Sequence, residues 1–179
     1  MKSDQSGASV IAHPLRIAYI EAGWHHDIVV QARHGFCDLL ESWGVPRNSV
    51  DIVRVPGSLE IPLQCQRLAR QGEHQVLVAA GLIVDGGIYR HEFVASAVLD
   101  ALMRIQLEND IPLLSIVLTP HQFSTASVHQ EFYCGHFRQK GEEAADACLM
   151  ILQDLPEVEE TAPYLAQYRS SLAGDPINP

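Results

Sequence analysis

The chain has 179 residues, of which 47% are hydrophobic, a size and composition typical of one globular domain with a substantial core. Its formal net charge of −10 argues against general binding to nucleic acid or to an anionic membrane surface, although a local pocket for an anionic metabolite stays possible. The four cysteines show no CxxC spacing, which disfavours a zinc or disulfide framework, and we expect no signal peptide or membrane span.

The first half of the chain is typical of two strand–helix units. An apolar strand over 15–20 precedes a helix over 25–43, in which apolar residues recur at helical spacing. A second strand over 50–55 precedes a helix over 59–70, whose N-terminus we expect Ser58 to cap.

The second half repeats this alternation around a pair of glycines. The short apolar run 76–80 is typical of a strand buried on both faces, and after Gly86 and Gly87 a helical pattern covers 91–108. The remaining predicted elements are a strand over 111–118, a less regular stretch over 119–136 and a helix over 137–152.

Strands that alternate with helices predict a four-stranded parallel sheet covered by helices on both faces, a three-layer α/β/α fold. We predict a flexible arm over 1–14, one domain over 15–153 and an acidic tail over 154–179 with one helical turn.

Ligands of such a sheet bind beyond the carboxyl ends of its strands, and four segments are expected there: 21–24, 56–60, 83–91 and 119–121. The backbone N–H groups of the 86–87 turn suit an anion such as phosphate. The alternative is an ordinary strand-to-helix junction without a ligand, because the turn matches neither GxGxxG nor a P-loop.

Four motifs, EAGWHHDIV, VPGSLEIP, GLIVDGGIYRHEF and QKGEEAADACL, follow one another in the chain. In order and spacing they resemble the 6,7-dimethyl-8-ribityllumazine synthase family over 15–152. The Trp-His pair and the DGGIYRH sequence are similar to the second type of this family, found in rhizobia and brucellae.

The resemblance implies a flavodoxin-like fold and a cytoplasmic transferase of riboflavin biosynthesis. The family condenses 5-amino-6-(D-ribitylamino)uracil with L-3,4-dihydroxy-2-butanone 4-phosphate, releases phosphate and water, and uses neither cofactor nor metal. It also implies a homo-oligomer built of pentamers, here a decamer, with active sites shared between subunits.

The resemblance assigns substrate-binding roles within each motif. Trp24 corresponds to the aromatic residue that stacks on the pyrimidine, with a half-buried core tryptophan as the alternative. Glu60 corresponds to a carboxylate that accepts hydrogen bonds from ribityl hydroxyls, although the helix dipole also favours an acid in a first turn. The other positions carried over are Ser58 and Leu59 at the ribityl chain, Leu82, Ile83 and Val84 at the heterocycle, Gly87 and Ile88 at the phosphate, and Ser115 at the pyrimidine floor.

Two positions depart from the family pattern. Arg90 occupies the place of the catalytic histidine, and the only nearby base is His91, one residue later; an arginine is no base near neutral pH. The phosphate-binding arginine expected before the last helix is absent, and His129, His136 or Arg138 is the candidate substitute. Metal ligation by the late histidines fits no standard spacing.

These departures leave a second functional hypothesis open. A synthase-like protein that retains riboflavin or a related flavin, with little catalysis, would need neither a proton-transferring histidine nor a phosphate-binding arginine.

Overall fold

The computed structural model describes residues 15–85, 90–120, 123, 127–155 and 163–172, with only the backbone described for 127–129, 163 and 164. The four strands are Ile17–Ala22 (β1), Val50–Val55 (β2), Val76–Leu82 (β3) and Leu113–Leu118 (β4). The five helices of the described residues are His26–Ser42 (α1), Ile61–Gln71 (α2), His91–Asn109 (α3), Ser127–Gln153 (α4) and Pro163–Leu172 (α5).

All strand pairs are parallel, and the sheet order is β2-β1-β3-β4. Every residue of β1 and β3 is buried, whereas the outer strands β2 and β4 also contain half-buried and exposed residues. This is the pattern of a parallel sheet covered on both faces, so the predicted four-stranded α/β/α architecture is confirmed.

Alternate residues of β1 enter two separate cores. Tyr19 joins α1, α4 and α5 on one face of the sheet, and Ile20 joins α2 and α3 on the other. The period of two along a strand produces this division. No helix in the described part of the chain combines the length and apolar character that crossing a bilayer requires.

The helix boundaries differ from the predicted ones near the C-terminus. Helix α4 begins at Ser127, ten residues before the predicted start, because the aromatic residues of its first turns are partly exposed and blur the helical pattern. In the predicted tail, α5 is a helix of ten residues rather than one turn. Its Leu165 and Tyr168 are buried, and the Tyr168 ring packs edge-on against Trp43 at 5.0 Å.

One charged side chain lies fully inside the fold. Glu21, in β1, has no exposed surface, and its two carboxylate oxygens lie 2.8 Å from Nε of Arg54 and 2.9 Å from Nε of Arg33. Only the Arg54 contact has hydrogen-bond geometry. Removing a carboxylate from water costs several kcal/mol, and the contacts with these two arginines offset part of that cost.

Glycines allow α1 and α4 to cross closely. A Cβ at Gly35 would overlap the carbonyl oxygen of Arg138, and a Cβ at Gly141 would overlap that of Ala32. Because the obstruction in each case is backbone, neither site can accept a side chain unless the two helices move apart.

We predict that Gly141→Ala lowers the free energy of unfolding by about 3 kcal/mol, because the added methyl group forces the two helices apart. The matched control is Gly135→Ala in the same helix, where an added Cβ meets no atom within 4 Å. Better helix propensity should make that control neutral or up to about 1 kcal/mol more stable. Urea unfolding of both variants measures the difference, and equal stabilities would contradict the close crossing.

Candidate functional site

A cavity of 310 Å³ lies beyond the carboxyl ends of β1, β2 and β3. The start of α3 closes it on one side. Many of the side chains named from the sequence line this cavity: Trp24, Ser58, Leu59, Glu60, Leu82, Ile83, Val84 and His91. Three segments distant in the chain therefore meet at the rim where a parallel sheet binds ligands.

Trp24 follows β1 and is 71% exposed, so it is not a core tryptophan. Its indole lies against Gly57, since a Cβ at that glycine would stand 3.5 Å from two ring carbons. The backbone of Gly23 donates a hydrogen bond to Val55 O at 2.8 Å, which ties the end of β1 to the end of β2. An aromatic face held in this way at a cavity suits stacking on a flat ring.

The 57–60 turn presents the polar groups of the second wall. The Gly57 N–H donates to Glu60 Oε2 at 2.9 Å, and this bond holds the carboxylate against the turn. Ser58 is buried, with its hydroxyl beside Gly81 of β3. The prediction that Ser58 caps α2 is wrong: Glu60 occupies the N-cap position, and no side chain forms the cap hydrogen bond.

The end of β3 forms the apolar wall. Leu82 and Ile83 are buried, and Val84 is half-buried. The Ile83 N–H donates to Leu118 O at 2.9 Å, which continues the pairing with β4 beyond the last residue of β3. This apolar surface lines the same cavity as the Trp24 indole, a combination that suits a flat ring.

The two candidates for proton transfer point to different places. The His91 side chain is 13% exposed and lines the cavity, and its Nδ1 lies 3.8 Å from Glu92 Oε2, beyond hydrogen-bond distance. Arg90 is exposed and does not line the cavity; its guanidinium carbon lies 5.7 Å from the centre of the Phe93 ring. Only the histidine of this pair therefore faces the cavity.

Other predicted positions are not gathered there. Ser115 is an exposed residue in the middle of β4, and its hydroxyl accepts a hydrogen bond from the Val117 N–H at 3.3 Å. Gly87 and Ile88 lie outside the described residues, as does the side chain of His129.

Two of the three proposed substitutes for the phosphate-binding arginine, Arg138 and His136, also lie elsewhere. Arg138 is paired with Asp38 at 2.9 Å, and together with Arg47 it holds the pKa of that carboxyl below its usual value. His136 stacks on Phe132, with ring centres 6.1 Å apart. Neither side chain lines the cavity that contains Trp24.

The fourth predicted segment lines a different cavity. Thr119 and Pro120 follow β4 and, with residues of α4 such as Tyr133 and His136, surround a space of 340 Å³. Leu82 contacts both spaces. Among the described residues, the end of β4 therefore lines a different cavity from the other three strand ends, because β4 is the edge strand and its end faces α4.

Sequence reasoning missed two side chains of the site. His25 lines the cavity directly after Trp24, and Val94 lines it one turn into α3. The available signals were the Trp-His-His run and the apolar spacing after His91.

The cavity contains few charges. Glu60 and the imidazoles of His25 and His91 are its ionisable side chains, and no Lys or Arg is among the described residues that line it. Within the described ranges no three His, Cys, Asp or Glu side chains converge in a way that would hold a metal ion. The described geometry thus offers stacking, hydrogen bonding and proton transfer.

Comparison with known proteins identifies the family. The sequence profile of 6,7-dimethyl-8-ribityllumazine synthase matches residues 14–155. The enzyme of that name from Rhodococcus erythropolis is 53% identical over 144 residues, 79% of this chain and 93% of that protein. The protein named 6,7-dimethyl-8-ribityllumazine synthase 2 from Pseudomonas syringae pv. tomato is 50% identical over 76% of this chain and 81% of that protein. The protein of the same name from Bradyrhizobium diazoefficiens is 49% identical over 80% of this chain and 86% of that protein. This chain belongs to the 6,7-dimethyl-8-ribityllumazine synthase family.

Proposed function

We propose that this chain is a transferase of riboflavin biosynthesis that condenses 5-amino-6-(D-ribitylamino)uracil with L-3,4-dihydroxy-2-butanone 4-phosphate to 6,7-dimethyl-8-ribityllumazine. Membership of the family supports this reaction. The single observation that carries it is the exposed Trp24 indole, which lines one cavity with the Glu60 carboxylate and the His91 imidazole.

The reaction needs alignment and proton transfers. The ring amine adds to the ketone carbon, and loss of water leaves an imine. A proton then leaves carbon as phosphate departs, and the second amine closes the ring with loss of another water. Holding two substrates in register accounts for much of the rate in such a condensation.

Different walls of the cavity contact different parts of the pyrimidine substrate in this proposal. Trp24 stacks on the ring from one side, and the apolar end of β3 at Ile83 contacts it from the other. The Glu60 carboxylate already accepts one backbone N–H through Oε2, which orients its remaining acceptor sites toward ribityl hydroxyls. Ser58 and Leu59 border the same chain in this arrangement.

His91 transfers the protons in this proposal. Its imidazole lines the cavity and can both accept and donate near neutral pH, whereas the Arg90 guanidinium stays protonated. We assign Arg90 the role of a cation near the phosphate, which the predicted turn at Gly87 and Ile88 would bind. Because no cationic side chain is among the described lining residues, we assign phosphate binding to the backbone amides of that turn, with His129 as a further candidate.

We also retain Ser115 as a substrate-binding residue, in a site shared between subunits. Its position on the exposed edge strand puts it away from the cavity of its own chain, so it can form part of a pyrimidine floor only if subunits share sites.

We propose that the chain assembles through pentamers into a decamer. In support, α3 carries a row of exposed apolar side chains, Leu99, Met103 and Leu107, spaced four residues apart on one side of the helix. Large apolar side chains in such a row are typical of an interface.

We place the reaction in the cytoplasm. The described cysteines are all unpaired, and burial raises the pKa of the Cys65 and Cys148 thiols to about 12, so both remain protonated within the core. Unpaired thiols are typical of proteins from a reducing compartment.

The first prediction of the proposed function is that the chain catalyses the condensation. Purified chain mixed with both substrates should form the lumazine product, followed by its absorbance, faster than the spontaneous condensation. The flavin-binding alternative predicts a yellow preparation that binds riboflavin far more tightly than the pyrimidine substrate and shows no turnover above that background. That second result would overturn the proposed reaction.

The second prediction separates the two candidate residues. His91→Ala should lower kcat by about 10- to 100-fold with little change in KM, because it removes a proton-transferring group. Arg90→Ala is the adjacent control and should cause a smaller loss, since its side chain lies outside the cavity. A larger loss in the Arg90 variant, or full activity in both, would contradict the assignment.

The third prediction concerns assembly. Sedimentation should give a mass about ten times the 19.8 kDa of one chain, and Met103→Lys should shift the population toward smaller species by placing a charge among apolar neighbours. A single-chain mass for the unmodified protein would exclude subunit-shared sites.

A further inference from the structure

The backbone of His25 has an unusual conformation for its position. Its φ of 54° and ψ of 39° lie in the left-handed region, which non-glycine residues seldom adopt. His25 is the N-cap of α1, where residues normally have extended backbone. The other described non-glycine residue with positive φ, Asp110, is the C-cap of α3, where a left-handed residue commonly ends a helix.

Helix capping does not account for this conformation. The His25 carbonyl accepts hydrogen bonds from the N–H groups of Ile28 and Val29 at 3.0 Å, a role any residue can fill. No side-chain hydrogen bond caps α1. Backbone strain of this kind persists where the surroundings impose it and often marks a binding site.

The ring of His25 borders the cavity and packs against one aromatic ring. It directly follows Trp24 in the chain and packs edge-on against Phe123, with centroids 5.0 Å apart and planes at 65°. Within the described part of the chain its two nitrogens have no hydrogen-bond partner. An imidazole that borders a cavity and has no nitrogen partner among the described residues can bind a polar group of a ligand.

We propose that His25 is a substrate-binding residue, and that its left-handed backbone turns the imidazole toward the ligand that stacks on Trp24. The ligand class is a flat nitrogen heterocycle with a polyhydroxyl chain, whose polar groups form hydrogen bonds with the ring nitrogens of His25. The assignment rests on the proposed function, and it adds a second imidazole on the wall formed by the β1–α1 connection.

The test uses a substitution that keeps the backbone and removes the ring. Glycine adopts the left-handed region without strain, so His25→Gly should fold with an unchanged or higher melting temperature. We expect its KM for the ribitylaminouracil, and its Kd for riboflavin measured by quenching of flavin fluorescence, to rise about tenfold. Asparagine also tolerates this conformation and keeps a donor and an acceptor, so His25→Asn should recover part of the loss.

The matched control is His26→Ala, which removes the adjacent imidazole that does not line the cavity and should leave KM and Kd unchanged. If His25→Gly binds both ligands as the unmodified chain does, the conformation serves only the turn and the proposal is overturned. If the unmodified chain forms no lumazine, the proposed reaction fails, while riboflavin titration of the His25 variants still decides whether this residue binds a ligand.

Discussion

Parallel pairing of β1 with both of its neighbours is the constraint on which the site depends. Ala22 pairs with Val55, and Glu21 pairs with Ala80, so three strands end within about a residue or two of one another at the same rim. In an antiparallel arrangement these ends would lie on opposite sides of the sheet. The segments that follow the strands therefore converge although they are separated by more than twenty residues in the chain.

The buried Glu21 links this rim to the helices. Its carboxylate contacts Arg54 of β2 and Arg33 of α1, so one charge joins the two strands whose ends carry Trp24 and the 57–60 turn. An apolar residue would cost less to bury, and ion pairs of this kind often add little to stability. These ion pairs instead fix the position of β1 relative to β2 and α1, because any shift of β1 against β2 would separate the Glu21 carboxylate from its arginine partners.

Sequence patterns predicted the sheet well because β1 and β3 are buried on both faces, which leaves a continuous apolar run. The sequence patterns did not predict the full length of α5. This helix is stabilised by burial of Leu165 and Tyr168 against the domain, and the local pattern of the polar tail contains no sign of that contact. At the site, the sequence motifs identified most of the residues that line the cavity. The directions of the Arg90 and His91 side chains could not be predicted, because they depend on how α3 begins. The backbone conformation of His25 could not be predicted from residue type, since histidine adopts positive φ more often than most non-glycine residues but still only in a small minority of cases.

The sparse charge of the cavity agrees with the energetics of the proposed reaction. Alignment of two reactants can lower a barrier by about 7–11 kcal/mol, whereas proton transfer by a positioned side chain contributes about 100- to 10,000-fold, or about 3–5 kcal/mol. In the proposed reaction, stacking on Trp24 and the hydrogen bonds of the 57–60 turn are therefore assigned the larger share of the rate. Moving the proton-transferring histidine from position 90 to position 91 affects only the smaller contribution, that of proton transfer. The His91 ring still lines the cavity. The family reaction is for this reason compatible with an arginine at position 90.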